Sequence, residues 1–409
     1  MKILIIGINY APEQAGIAVY TSGFAEDLVK RGHEVVVVCA PPHFPAWRVQ
    51  KGYSARAYRS SIENGVRVVR CPTYVPRTTS AVKRILHYLS FAGASFPVAL
   101  HQAFSKRPDI VFCVAPALLS AGPALIAARL AGARTWLHVQ DLEIDAAFAT
   151  GVMRPGAAGR LALATERFLL RRFDRVSTIS PQMAERIRAK GVPAERLTQF
   201  RNWSDLSAIT PLDRPSRFRD WWRIREEHVA LYSGSIGNKQ GIETVIDAAR
   251  QLRHRSDLMF VICGEGPNRD QLERLAADLP NVRFFDLQPR EKLNELLGLA
   301  SVHLLPQLAD AADSVLPSKL TNMLASGRPV VATAAAGTGL FDEVRTCGLS
   351  PTPGDADALA RAIAELLDDA DARVRLGTAA RLRAEETIAA DRILAGVATG
   401  MCRLAGEAA

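Results

Sequence analysis

Tyr232-Ser233-Gly234-Ser235-Ile236-Gly237-Asn238-Lys239-Gln240-Gly241 is the stretch on which the fold turns. It follows an apolar run at 229–232 that reads as a buried strand. It leads into a helical pattern with apolar residues at Ile242, Val245, Ile246, Ala249 and Leu252. A strand, a glycine-rich turn and a helix in mid-chain mark a second beginning. After it, the runs 258–263, 282–285, 302–305 and 330–333 read as strands. Before it lies an equivalent series at 2–6, 34–39, 66–70, 110–114, 134–139 and 175–179, with helical spacings such as Tyr20, Phe24, Leu28 between. Buried strands alternating with amphipathic helices form parallel sheets covered on both faces. The 409 residues are natural for two such α/β domains of about 200 residues each.

The two halves differ in charge. Residues 1–205 carry 27 Lys/Arg against 14 Asp/Glu, whereas 206–409 carry 24 against 28. A basic first half beside a mildly acidic second half points to an anionic partner for the first half. The six cysteines have neither zinc spacing nor a disulfide framework, and Cys39, Cys113 and Cys263 fall inside predicted strands as small apolar residues. The opening apolar run, Ile3 to Ile6, is too short for a secretion signal, so a cytoplasmic protein is expected. Residues 85–105 contain no Asp, Glu, Lys or Arg and are long enough to cross a bilayer. His87, Ser90, Ser95, Pro97, His101 and Gln102 interrupt the apolar character, so a helix pair on the domain or on a membrane surface is expected instead. A last helical stretch is expected over roughly 371–405.

Parallel sheets place their chemistry in the loops after the strands. Gly16 ends the first such loop and lets backbone N–H groups approach an anion at a helix start, or it merely begins a tight turn. The 234–241 loop, with three glycines and Lys239, reads as a phosphate cradle; a solvated glycine-rich turn is the alternative. Gly264-Glu265-Gly266-Pro267 is another open loop. Asp313-Ser314-Val315-Leu316-Pro317-Ser318-Lys319 leads into a helix stopped at Gly327, so Ser318 and Lys319 make a second anion site or simply a well-capped helix. The dinucleotide pattern G-x-G-x-x-G is absent after the first strand, and the 234–241 loop lacks the ending of an ATPase P-loop. His138 and Asp141 follow the strand at 134–139, with Glu143 and Asp145 as spare carboxylates nearby. The pairs Asp355/Asp357 and Asp369/Asp371 look like metal-binding pairs but read as solvated surface near helix ends.

With these residues in place, the chain resembles the retaining glycosyltransferases of family 4. The resemblance rests on 10–16 (Tyr-Ala-Pro-Glu-Gln-Ala-Gly), 31–35 (Arg-Gly-His-Glu-Val), 138–142 (His-Val-Gln-Asp-Leu), 233–241, 264–267 and 316–330. These span nearly the whole chain, and together are similar to the bacterial exopolysaccharide branch that includes the colanic-acid fucosyltransferase. The resemblance implies a GT-B fold, in which two doubly wound Rossmann-like domains face a central cleft. Expected boundaries are an acceptor-binding domain at 1–205, a sugar-nucleotide domain at 206–385 and a helix at 386–409 packing back toward the first. It implies transfer of a sugar, with retention, from a GDP-fucose-like or UDP-sugar donor to a lipid-diphosphate-linked glycan in exopolysaccharide synthesis. An anionic membrane surface at the inner face of the cytoplasmic membrane is then a further partner.

By the same resemblance, His138 and Asp141 sit at the reaction centre. Gly16, Gly234, Ser235, Lys239, Gly266, Ser314, Val315, Leu316, Ser318 and Lys319 hold the donor. No metal or other cofactor is expected, because lysines and helix N-termini stabilise the departing diphosphate. Two departures stand out. Ser235 occupies a position where the family commonly has arginine, and Ser314 and Asn322 stand where many members have glutamates. These leave room for a non-catalytic sugar-nucleotide binder, or for an epimerase on the same fold; an NAD-linked oxidoreductase is disfavoured by the missing glycine pattern.

Overall fold

The computed structural model of the chain describes residues 1–13, 16–78, 80–149, 156–237, 240–308 and 316–406. They form two compact units, one of Met1–Arg201 with Arg392–Ala409 and the other of Asn202–Asp391.

In the first unit, strands β1 (Lys2–Gly7), β2 (Glu34–Cys39), β3 (Arg59–Glu63), β4 (Val66–Arg70), β5 (Ile110–Ala115), β6 (Arg134–Val139), β7 (Arg175–Thr178) and β8 (Leu197–Gln199) make one sheet. Its order is β3-β4-β2-β1-β5-β6-β7-β8, parallel throughout except for the β3–β4 hairpin at one edge. Asn64 and Gly65 turn that hairpin with φ of 48° and 83°, the geometry that favours this residue pair. The central strands are buried along almost their full length, as the Ile/Val runs require.

Two helical expectations need correction. Residues 85–105 do not form a helix pair: one 25-residue helix, Ala81–Ser105, runs through Pro97. Pro97 cannot bond to the carbonyl of Gly93, yet both residues are exposed, so that carbonyl is open to solvent and glycine leaves space for the ring. No helix among the described residues is long and apolar enough to cross a membrane. Likewise 371–405 is not continuous. It divides into Ala370–Thr387 and Ala390–Ala405, because Ser204 inserts at the break, donating to Ile388 O at 2.9 Å and accepting from Ala390 N at 3.1 Å. The final helix buries Leu394, Val397, Ala398 and Met401. A Cβ built on Gly400 lies 3.2 Å from the Trp136 ring, so it packs on the first unit's sheet.

The second unit has strands β9 (His228–Ser233), β10 (Leu258–Cys263), β11 (Val282–Phe285), β12 (Val302–Leu305), β13 (Val330–Ala332) and β14 (Gly348–Leu349). All are parallel, in the order β11-β10-β9-β12-β13-β14. The helix Ile242–Gln251 buries Ile242, Val245, Ile246 and Ala249 against this sheet; each large apolar side chain so placed is worth about 1.5–3 kcal/mol. Asp355 and Asp369 turn out to be helix caps, accepting from the N–H groups of Ala358 and Ala372 at 2.8 Å each. All six cysteines are free, and all but Cys402 are buried.

Candidate functional site

The switch in strand order beside β9 puts the loops after β9, β10 and β12 together at one end of the second sheet. Two of these loops are zipped by their backbones. Gly234 N donates to Cys263 O at 2.9 Å and Ile236 N to Glu265 O at 2.8 Å. The approach is so close that a Cβ on Gly264 would lie 1.9 Å from Gly234 O, and one on Gly266 1.9 Å from Ile236 O. Gly266, expected at the donor, thus has a structural duty of its own: its bare Cα admits the neighbouring loop.

Lys319 reaches into this loop pair. Its Nζ donates to Tyr232 Oη at 2.8 Å and lies 3.9 Å from the centre of that ring. Tyr232 Oη in turn donates to Ser235 O. A Cβ on Gly234 would be only 3.4 Å from the Lys319 Nζ, so glycine there makes room for the ammonium. Among the described residues no carboxylate pairs with Lys319. Burial pushes its pKa down to about 7, because a desolvated ammonium lacking a counter-ion favours its neutral form. A dianion placed here would reverse that balance.

Of the expected donor residues, the structure therefore brings Gly234, Ser235 and Lys319 together, with Gly266 on the adjoining loop. Ser235 is exposed at the loop surface, and Leu316 and Ser318 are half-buried on the approach to Lys319. The helix they enter is only Lys319–Ala325, so the positive charge here belongs to the ammonium rather than to a long helix dipole. Lys239, Ser314 and Val315 lie outside the described residues. Asn322, at a position where family glutamates are common, accepts from Ser204 Oγ at 2.7 Å and so anchors the start of this unit.

In the first unit, Gly16 caps the helix Ile17–Lys30 with φ 65°, a conformation suited to glycine. Glu13 just before it is buried and accepts from His43 N at 2.7 Å, Phe44 N at 2.8 Å and Asn9 Nδ2 at 2.9 Å. That carboxylate fixes the loop that faces Gly16.

His138 is 3% exposed and rests against Phe200, with ring centres 4.5 Å apart. Ser177 Oγ accepts from Trp136 Nε1 at 2.8 Å and lies 3.0 Å from His138 Nδ1. Burial lowers the His138 pKa to about 3. Its surroundings therefore favour the neutral imidazole. Asp141 follows in the next loop, and there a polar cluster appears that no motif announces. Glu143 accepts from Ala117 N at 3.0 Å and lies 3.7 Å from Arg84, which itself donates to Tyr88 Oη at 3.2 Å. Burial, reinforced by the charge on Asp141, raises the Glu143 pKa. Arg84 and Tyr88 come from the helix Ala81–Ser105, and only the folded topology brings them to the ends of β5 and β6. Among the described residues no group of three His, Cys, Asp or Glu is arranged to hold a metal ion.

Comparison with known proteins places this geometry. Residues 15–203 match the model of a glycosyl transferase 4-like domain, and 214–383 that of the glycosyl transferases group 1. The chain is 41% identical over 408 residues to the putative colanic acid biosynthesis glycosyl transferase WcaI of Escherichia coli K12, covering 96% of this chain and 98% of that protein. It is 27% identical to a GDP-mannose-dependent alpha-(1-6)-phosphatidylinositol monomannoside mannosyltransferase of Mycolicibacterium smegmatis, covering 93% and 92%. Its fold matches sucrose-phosphate synthase from Thermosynechococcus elongatus with a TM-score of 0.76 at 19% identity, covering 98% of both chains. Two glycosyl transferase domains in succession, a full-length relative at that identity and matching folds establish that the chain is a family 4 glycosyltransferase with the GT-B fold.

Proposed function

We propose that the protein transfers a sugar from a nucleoside-diphosphate sugar, GDP-fucose-like or UDP-linked, to a lipid-linked oligosaccharide during bacterial exopolysaccharide assembly, with retention of anomeric configuration. The observation that carries this reading is Lys319, an ammonium set against Gly234 and the Tyr232 hydroxyl, with no carboxylate partner among the described residues. The colanic-acid assignment of the E. coli relative and the phosphatidylinositol mannoside named for the mycobacterial one support the acceptor class. In the reaction, the bond between the anomeric carbon and the diphosphate oxygen breaks. A bond to the acceptor oxygen forms on the same face, and the hydroxyl proton passes to a donor phosphate oxygen. Lys319, with Lys239 and the Gly234–Ser235 backbone, neutralises the departing diphosphate. His138 and Asp141 orient the sugar and the incoming hydroxyl, with Glu143 beside them.

No metal takes part in this scheme, because Lys319 supplies the charge that a cation would bring. A thermal-shift panel of GDP-, UDP- and ADP-sugars run in EDTA is expected to show stabilisation by one nucleotide class. Stabilisation appearing only after addition of Mg²⁺ or Mn²⁺ would overturn the lysine assignment, and silence from every donor would remove the proposal's basis.

The acceptor's lipid requires a membrane surface, at the cytoplasmic leaflet in this scheme. On the helix Ala81–Ser105, Val82, Ile85, Leu86 and Leu89 are 66%, 47%, 49% and 49% exposed, and their spacing puts them on one face. Phe91 is fully buried, and Phe96 and Leu100 are half-buried, so the contact belongs to the first turns rather than to the whole helix. Arg77, Lys83 and Arg84 surround that end; Lys106 and Arg107 lie about 35 Å away along the helix, with Lys106 paired to Glu34 at 3.4 Å. Each basic residue near an anionic surface contributes about 1 kcal/mol. The wild type is expected to float with anionic liposomes at low salt, and a Leu86→Asp/Leu89→Asp variant to remain below. Equal recovery of both in the soluble fraction would dismiss the surface.

A further inference from the structure

The second unit holds a cavity of about 960 Å³ far from the donor loops. Its rim includes His228, Ser301 and Pro329, which stand at or just before the starts of β9, β12 and β13. The donor loops leave the opposite ends of β9 and β12, so the length of a strand separates the two places, about 20 Å for the six residues of β9.

Five arginines line this cavity, against Asp213 and Glu227 as its carboxylates. Arg214 is paired with Glu295, and Arg381 with Glu385 at 2.7 Å. The other three have no carboxylate within salt-bridge distance among the described residues. Arg219 donates to the carbonyls of Glu226 and Glu227 at 2.7 Å each. Arg373 donates through one nitrogen to the carbonyls of Leu366 and Leu367. Among the described residues Arg328 reaches only Leu212 O, at 3.4 Å, and its buried Nε has no partner. Each guanidinium presents five N–H donors, so all three retain unused ones. Burial and the charge of Arg219 both lower the pKa of Arg328, the mark of like charges held together without compensation.

The walls are built to close tolerance. A Cβ on Gly298 would lie 2.2 Å from Leu212 Cδ1, and one on Gly377 2.4 Å from Gly327 O. Gly327 holds φ 67°, and its Cβ would meet Pro211 Cγ at 2.8 Å. Arg381 ties the frame by donating to Ile209 O and Ala325 O at 2.8 and 2.9 Å. Leu212 and Leu299 add apolar wall beside the arginines. Planar guanidiniums match the oxygens of phosphate in pairs, and the space exceeds that of inorganic phosphate. Pockets of this size accommodate small organic ligands.

We propose that this cavity is a second anion site, binding a phosphate monoester of sugar-phosphate or nucleotide size through Arg219, Arg328 and Arg373. It is separate from the donor site and does not depend on the donor reading. The test is titration calorimetry of the full chain carrying Lys319→Ala, with glucose 6-phosphate, AMP and inorganic phosphate as probes. One of the two esters is expected to bind saturably and more tightly than inorganic phosphate, and Arg328→Met with Arg373→Met to weaken it by about tenfold or more. That double variant loses the bonds from Arg373 to the Leu366 and Leu367 carbonyls, so its unliganded melting temperature is measured first to confirm that it folds. If it does not fold, Arg328→Lys with Arg373→Lys keeps the charge and removes the planar fork, and weakened ester binding is again expected. Absence of saturable binding by either ester, or affinity unchanged in the arginine variants, overturns the proposal. Undiminished donor binding by Lys319→Ala would instead count against the donor site and leave this one standing.

Discussion

Lys319→Ala is expected to weaken binding of the nucleoside-diphosphate sugar about 10- to 150-fold, or roughly 1.5–3 kcal/mol, the range for a charge-assisted hydrogen bond. The effect carries a pH signature. With its pKa near 7 in the free protein, the ammonium is already charged in mild acid and meets the diphosphate directly. Above pH 7 it is neutral, so binding must take up a proton and affinity falls as pH rises. Stability of the free protein moves the other way. The folded pKa lies below the ordinary 10.5 of the unfolded chain, so the unfolded state binds more protons between the two values and stability increases with pH there. Calorimetry across this range on wild type and Lys319→Ala separates the effects. A pH-independent donor affinity, or equal affinity in both proteins, would remove Lys319 from the site.

Gly264→Ala is the second large effect. The added methyl would lie 1.9 Å from Gly234 O and 3.0 Å from Gly234 C, both backbone atoms. No rotamer relieves such a contact, so the loops after β9 and β10 must part and the bond from Gly234 N to Cys263 O is lost with them. Roughly 3 kcal/mol of stability is expected to disappear, a fall of about 6–12 °C in melting temperature for a unit of this size, and donor binding with it. Gly237→Ala is the control. Among the described residues its methyl would meet only Gln240 Oε1, at 3.1 Å, the movable end of a side chain. Equal melting temperatures for the two variants would mean that the loops are not held as described.

The strands were legible where burial leaves a trace in composition. Ile3 to Ile6, Val35 to Val38 and Leu258 to Cys263 are apolar runs because both faces of their sheets are covered. β3 was not, since Arg59–Glu63 is an exposed edge with no such run; its one available signal was Asn64-Gly65. Pro97 misled for a related reason, as a helix tolerates proline when the orphaned carbonyl faces water. At the site, Gly234 and Lys319 announce themselves by residue type and place after a strand. Tyr232 does not, because nothing local records that its hydroxyl meets a lysine 87 positions on. Glu143 likewise gains its character only when Arg84 and Tyr88 arrive from a distant helix. His138 is marked by its motif, but its burial against Phe200 and its neutral form are set by the fold and leave no local trace.

The central claim is sugar transfer from a nucleotide donor, and one assay addresses it directly. The protein is incubated in EDTA with the donor it binds and a lipid-diphosphate-linked oligosaccharide, and the lipid fraction is weighed by mass spectrometry. An acceptor heavier by one sugar residue, matched by release of the nucleoside diphosphate, is the result expected. A bound donor recovered intact or epimerised, beside an acceptor of unchanged mass, would contradict it.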